Sequence, residues 1–202
     1  LDAEYYQPEY LVLENSLKKT GTHKPWRDIE GKFVTGPFGS EFNVENYISD
    51  GKYRYIRGKD VKEFFLTDSD NVYIPEKDFK RLNKYALQEG DLLTSVVGTL
   101  GNVSIVDSSI LPAIFSCKST AFRTKAINPY YFLAYLNSTY GKKLLERSVR
   151  GAVQTGLNIN DLKDLLVFVP SEVIQKEIGE MVEKSKTDSE SYLFVPIQRL
   201  YI

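Results

Sequence analysis

One cysteine, one histidine, one methionine and one tryptophan in 202 residues leave few groups for several kinds of chemistry. Cys117 has no second thiol with which to close an internal disulfide, and such a chain suits a reducing compartment, the cytoplasm. It stands in a run of alternating apolar residues, where a small packed side chain is expected rather than a nucleophile. His23 and Cys117, the whole stock of imidazole and thiol, argue against a zinc site. A Ser-His-Asp arrangement would have to use His23, which sits in the polar stretch TGTHKP and is expected in a loop. No spaced Asp…Glu-x-Lys nuclease core stands out, so neither a metal, nor a cofactor, nor a hydrolytic centre is expected. No apolar run approaches the ~20 residues that cross a bilayer, and no secretory signal is visible.

What is present fits an ordinary globular protein: 42% hydrophobic and 26% charged residues, enough for one good-sized domain or a domain with a docking segment. The net charge of −1 and a pI near 6.0 do not advertise a polyanionic partner. Their distribution says more. Between Lys118 and Arg150 seven basic residues face Glu146, and between Lys52 and Lys62 five face Asp60. From Asp161 to Glu190 eight acids face four bases. A basic body with an acidic tail suggests two partners, one of them polyanionic; solvated faces are the plainer reading. The 14 tyrosines and 11 phenylalanines alternate within expected strands, which favours core packing over stacking on single-stranded nucleic acid.

Hydrophobic periodicity predicts a mixed order of elements. EYYQPEYLVLENSLKK reads as a short helical entry interrupted near Pro8. KFVTGPFGSEF places a Gly-Pro-Gly turn between apolar runs. GKYRYIRGKDV reads as a half-buried strand with a basic face, and NVYIP as a strand stopped by Pro75 before a small helix. Gly90-Asp91 leads into the strand LLTSVV, and the turn from Gly98 to Gly101 returns through VSIV. FSCKSTAFRT reads as one further strand. A helix over Pro129 to Arg147 follows, then the loop RGAVQTGLN and a short helix at about Ile159 to Leu165. A strand VFVP and a last helix from about Ser171 to Lys184 complete the order. Strands interleaved irregularly with helices indicate an α+β domain.

Two motifs could be read as catalytic. Asn128-Pro129-Tyr130-Tyr131 comes within one residue of the Asn/Asp/Ser-Pro-Pro-aromatic motif of enzymes that methylate exocyclic amines of DNA bases. Helix chemistry explains it more simply: Asn is a favoured N-cap, and Pro fits the first helical position. VVGTLGNVSIV would hold a methyl donor only if its glycines joined a strand to a helix. The β-branched run after them predicts a second strand instead, and a glycine turn between strands is a hairpin.

Taken in order, several segments resemble the target recognition domain of the specificity subunit of type I restriction–modification systems. They are GPFGS at Gly36, YIRGKDV at Tyr55, LQEGDLLTSVVGTLGNVSIV at Leu87, NPYYFLAYLNS at Asn128, RGAVQTGLNINDLKDLLVFVP at Arg150 and IQKEI at Ile174. The entry LDAEYYQPEY adds to the likeness. The resemblance implies a mixed, strongly curved β-sheet domain with flanking helices over residues 1–170, then the start of a C-terminal spacer and docking helix over 171–202. It also implies sequence-specific binding of double-stranded DNA, with methylation left to a methyltransferase (M) subunit and cleavage to a restriction (R) subunit. The family usually carries two such domains per chain, so this chain looks like half a subunit, and a second copy of itself is a further expected partner. The usual proline pair after the last strand is here Pro170 alone. Alternatives are the same domain at the end of a single-chain restriction-methylation enzyme, or a catalytic methyltransferase using Asn128-Pro129-Tyr130-Tyr131.

Physical chemistry then selects residues. Phosphates are held by backbone N–H groups at glycine turns, by hydroxyls and by cations, which points to Gly39, Ser40, Lys59, Thr99 and Lys118. Bases are read by Arg, Lys, Asn and Gln in the major groove, which points to Arg57, Arg150, Gln154 and Thr155 in glycine-flanked loops. On the last helix Val173, Ile174, Ile178, Met181 and Val182 form an apolar stripe for partner docking.

Overall fold

Pro8 stands at the first residue of a helix, where its missing N–H would have had no partner in any case. The chain is described here by a computed structural model that covers residues 7–19, 22–148 and 156–186. Helix α1 (Pro8–Lys19) precedes strands β1 (His23–Pro25), β2 (Lys32–Thr35), β3 (Tyr53–Ile56), β4 (Phe64–Phe65) and β5 (Tyr73–Ile74). Helix α2 (Glu76–Arg81) leads to β6 (Leu92–Ser95), β7 (Val103–Ile105), β8 (Ala113–Phe115) and β9 (Ser119–Arg123). Helices α3 (Pro129–Asn137), α4 (Thr139–Arg147) and α5 (Ile159–Asp164), strand β10 (Leu166–Phe168) and helix α6 (Glu172–Ser185) complete the order.

The α+β class expected from the sequence is what forms, with its strands divided among three sheets. The largest runs β2-β9-β6-β7-β4, antiparallel except for the parallel pair β7-β4. A second runs β5-β3-β8, with β3 and β8 parallel. The third joins β1 to β10, so His23 near the start of the chain lies opposite Phe168. His23 therefore belongs to a strand and not to a loop; a run of three residues is too short to show alternation. FSCKSTAFRT, expected as one strand, is two. β8 ends at Phe115 and β9 begins at Ser119, and the turn between them passes the chain from one sheet to another.

Helix α3 is the centre of the main core. Every residue from Tyr131 to Asn137 is buried, against Trp26, Phe122, Leu144, Leu162, Val167 and Val182. Full burial of an apolar side chain of this size contributes roughly 1.5–3 kcal/mol. The two tyrosine hydroxyls find acceptors across the core, Tyr131 at the Phe168 carbonyl and Tyr135 at the Leu166 carbonyl, both at 2.8 Å. Asn128 caps the helix as expected, its side-chain oxygen accepting from the Tyr131 N–H at 3.0 Å. Helix α6 docks beside this cap. Gln175 Oε1 accepts the Asn128 N–H at 3.0 Å, and Gly179 allows an approach in which an added Cβ would lie 2.5 Å from Asn128 Oδ1.

The helix expected over Pro129 to Arg147 is broken at Ser138. Its hydroxyl donates to the Tyr135 carbonyl and accepts from the Gly141 N–H at 3.1 Å, closing α3 and capping α4 with one side chain. Gly141 makes the close fold-back possible, because a Cβ there would meet the Tyr135 carbonyl oxygen at 2.2 Å. No helix among the described residues is long and apolar enough to cross a membrane.

Candidate nucleic-acid interface

The paired registers bring several loops to one end of the sheets. Thr35 closes β2 opposite Thr120, Ser95 closes β6 opposite Ser119, and Ile56 closes β3 beside Phe115. The segments leaving these strands meet around the turn Ser116–Lys118. Ser116 N–H donates to the Ile56 carbonyl at 2.9 Å, and Val96 N–H to the Lys118 carbonyl at 2.9 Å. Gly36 lies so close that a Cβ would touch the Phe115 carbonyl oxygen at 2.4 Å, and one at Gly58 would stand 2.9 Å from Lys118 Cβ. Glycines at both positions let three chain segments share one junction.

On this junction stand most of the described residues selected from the sequence. Gly39 and Ser40 are exposed in a turn closed by the Glu41 N–H on the Phe38 carbonyl at 2.8 Å. That turn is pinned behind by Phe42, buried against Tyr55, and by Glu41, whose carboxylate accepts from Tyr85 Oη at 2.7 Å and from Lys84 Nζ at 3.0 Å. Phe38, not selected from the sequence, projects with 64% of its surface exposed. Thr99 occupies the tip of the β6–β7 hairpin, which Gly98 and Gly101 turn with φ of +90° and +76°. The hairpin expectation for GTLG is thus met. Beyond β6, Val97 pairs with Gly156, and Leu157 N–H donates to the Val96 carbonyl at 3.0 Å. Arg150, Gln154 and Thr155 lie outside the described residues.

Charge on this face is distributed unevenly. Lys118 is exposed and, among the described residues, its ammonium has no carboxylate partner. Lys59 is exposed but bound to Asp70 Oδ2 at 2.6 Å. Arg57 is almost wholly engaged. Its Nε and Nη2 form a two-point pair with the Asp60 carboxylate, both at 2.9 Å, Nη1 reaches Asp70 Oδ2 at 3.3 Å, and Nη2 also donates to the Asp70 carbonyl. Four of the five guanidinium N–H groups are thereby used, and the hydrogen bonds donated to Asp60 hold the Arg57 pKa above its ordinary value. Reading a guanine with Arg57 requires one carboxylate to let go.

Arg54, expected on a basic solvent face, is 6% exposed and held by the Thr67 carbonyl and by Asp68. Asp60, Asp68 and Asp70 were not selected from the sequence; the spacing of Asp60 three residues after Arg57 was the one available signal.

Elsewhere, the Tyr131 ring that would stack on a base in an amine-methylating motif is fully buried, and burial pushes its hydroxyl pKa far up. The apolar stripe of α6 is divided. Val182 is fully buried and Ile178 packs on the main core, so both are spent inside the domain. Val173, Ile174 and Met181 are 66%, 43% and 50% exposed.

The model of the type I restriction modification DNA specificity domain matches residues 38–190. Among solved structures, the type I restriction-modification S subunit from M. genitalium is 16% identical with a TM-score of 0.59, covering 82% of this chain and 39% of that one. The HsdS subunit from Thermoanaerobacter tengcongensis is 15% identical with a TM-score of 0.57, covering 88% and 43%. The type IIG restriction endonuclease BpuSI is 10% identical with a TM-score of 0.67, covering 90% and 28%. At these identities the likeness is one of fold, and the chain spans less than half the length of these solved chains. No curated protein matches.

Proposed function

The chain belongs to the type I restriction–modification DNA specificity domain family, and on that premise we propose that it is a noncatalytic module that recognises a specific sequence in double-stranded DNA. In this reading it directs an N6-adenine methyltransferase subunit and a restriction subunit to that sequence. The observation that carries it is the convergence of the loops bearing Gly39, Ser40, Lys59, Thr99 and Lys118 at one end of the sheets. Glycine turns, hydroxyls and cations on one face are the means by which proteins hold phosphates. Arg150, Gln154 and Thr155 read bases, and Arg57 reads one only after release from a carboxylate. Residues 1–170 form the recognition unit, and the helix beginning after Ser171 starts the spacer that meets a partner. Val173, Ile174 and Met181 receive a helix of the methyltransferase subunit or of a second copy.

Binding of randomised duplexes tests this, with the methyltransferase subunit present. Lys59→Ala and Lys118→Ala should weaken all duplexes alike and each lower the slope of log affinity against log salt by about one. Gln154→Ala should lose roughly 1–3 kcal/mol on the cognate site alone. Equal binding of all sequences by the unaltered protein would sink the reading.

A second reading, the same module within a single-chain restriction enzyme, draws on the TM-score of 0.67 to BpuSI. Recovery of a separate methyltransferase polypeptide with the native protein decides between the two.

A further inference from the structure

The cations at the strand ends differ in how firmly they are held. Asp60, 3% exposed, grips Arg57 through two hydrogen bonds and also accepts the Arg57 backbone N–H at 2.8 Å. That pair is part of the fold. Asp70 is another matter. It is 70% exposed, it meets Lys59 at 2.6 Å and Arg57 at 3.3 Å through the same Oδ2, and Lys59 is itself 61% exposed. One anionic oxygen shared between an ammonium and a guanidinium on an open surface is the arrangement a phosphate oxygen adopts with the same groups. Asp70 reaches this position through a left-handed backbone, φ +54°, a conformation that Asp and Asn tolerate better than most residues.

We propose that Asp70 stands in for a DNA phosphate until DNA binds and displaces it, so that it lowers the affinity of the domain for duplexes of any sequence. The inference rests on the DNA-recognition reading above. Its physical basis is the weakness of exposed ion pairs, which contribute little in water and exchange readily. Any duplex must expel the carboxylate before Lys59 can meet its backbone or Arg57 a base. The cost is the same on every duplex, and complexes on arbitrary sequence, which lack base contacts, have the least affinity to lose. The hydrogen bond and charge of Lys59 hold the Asp70 pKa below the usual carboxylate range, which keeps it anionic near neutral pH.

Asp70→Asn tests the idea with little risk to folding, since Asn accepts the same backbone conformation. The probe is a labelled duplex of mixed sequence, titrated by fluorescence anisotropy over a range of NaCl with the methyltransferase subunit present. The variant should bind about two- to five-fold more tightly, the range expected for removing one competing exposed pair. Its salt slope should steepen by up to about one, because no carboxylate freed by the duplex then takes up a cation. Asp68→Asn is the control: Asp68 is 84% exposed, two residues away, and pairs with the buried Arg54 instead. It should change mixed-sequence binding by less than two-fold. An Asp70→Asn protein that binds like the unaltered one, or no better than Asp68→Asn, overturns the displacement while leaving DNA recognition intact. An unaltered protein that holds no duplex at any salt overturns the reading beneath it.

Discussion

Asn128 does its work through three atoms. Its Oδ1 caps α3, its backbone N–H is taken by Gln175, and its amide lies against Gly179 of α6. Asn128→Ala keeps the backbone contact and loses the cap, so it should cost about 1 kcal/mol in urea unfolding, with Asn128→Ser recovering most of the loss. A change near zero would show that Tyr131 N–H finds another acceptor. The cap was legible in the sequence because capping is local. Arg54 was not: its partner Asp68 is 14 residues on, across a loop. Alternation cannot tell a basic side chain facing water from one covered by a later turn. The partners of Arg57 were hidden for a related reason, since glycine flanks mark a turn but not which carboxylates fold over it.

Among the elements, short-range signals again decided what could be read. The β6–β7 hairpin, α5 and α6 each announce themselves within a few residues, through glycine turns, the Asn158–Asp161 capping box and three-four periodicity. The break at Ser138 did not, because apolar spacing continues through it. What interrupts the helix is the close fold-back of Gly141 on Tyr135 and Leu136, which only a missing Cβ marks in the sequence. Helix α6 shows the limit of a stripe drawn on a helical wheel, for Val182 and Met181 are neighbours with opposite fates. Val182→Ala should therefore lower stability by roughly 2 kcal/mol and leave association alone. Val173→Glu with Met181→Glu should leave the melting temperature near its starting value and weaken binding to the methyltransferase subunit in sedimentation velocity. Unchanged sedimentation of the double variant would remove α6 from the docking surface.

At the scale of the whole molecule, the loops bearing Ser40, Lys59, Thr99 and Lys118 lie at strand ends and the apolar helices pack around α3. The β1–β10 pair closes the domain across nearly its full described length. That closure governs the order of events during synthesis. Trp26, the only tryptophan, donates its backbone N–H to the Leu165 carbonyl at 2.8 Å and follows directly on the strand that awaits Leu166–Phe168. At about 5–20 residues per second, a ribosome leaves β1 without its partner for roughly seven to thirty seconds. Contacts between such distant segments also form late in refolding, since loop closure precedes their reward. Tryptophan emission should consequently shift to the blue in the slowest refolding phase, and a chain ending at residue 164 should keep the red-shifted emission of solvent-exposed indole. A blue shift in that shortened chain would mean the core closes without β10. Of the described strands, the one made last shuts away a residue that follows directly on the first, and that residue's own light reports the moment.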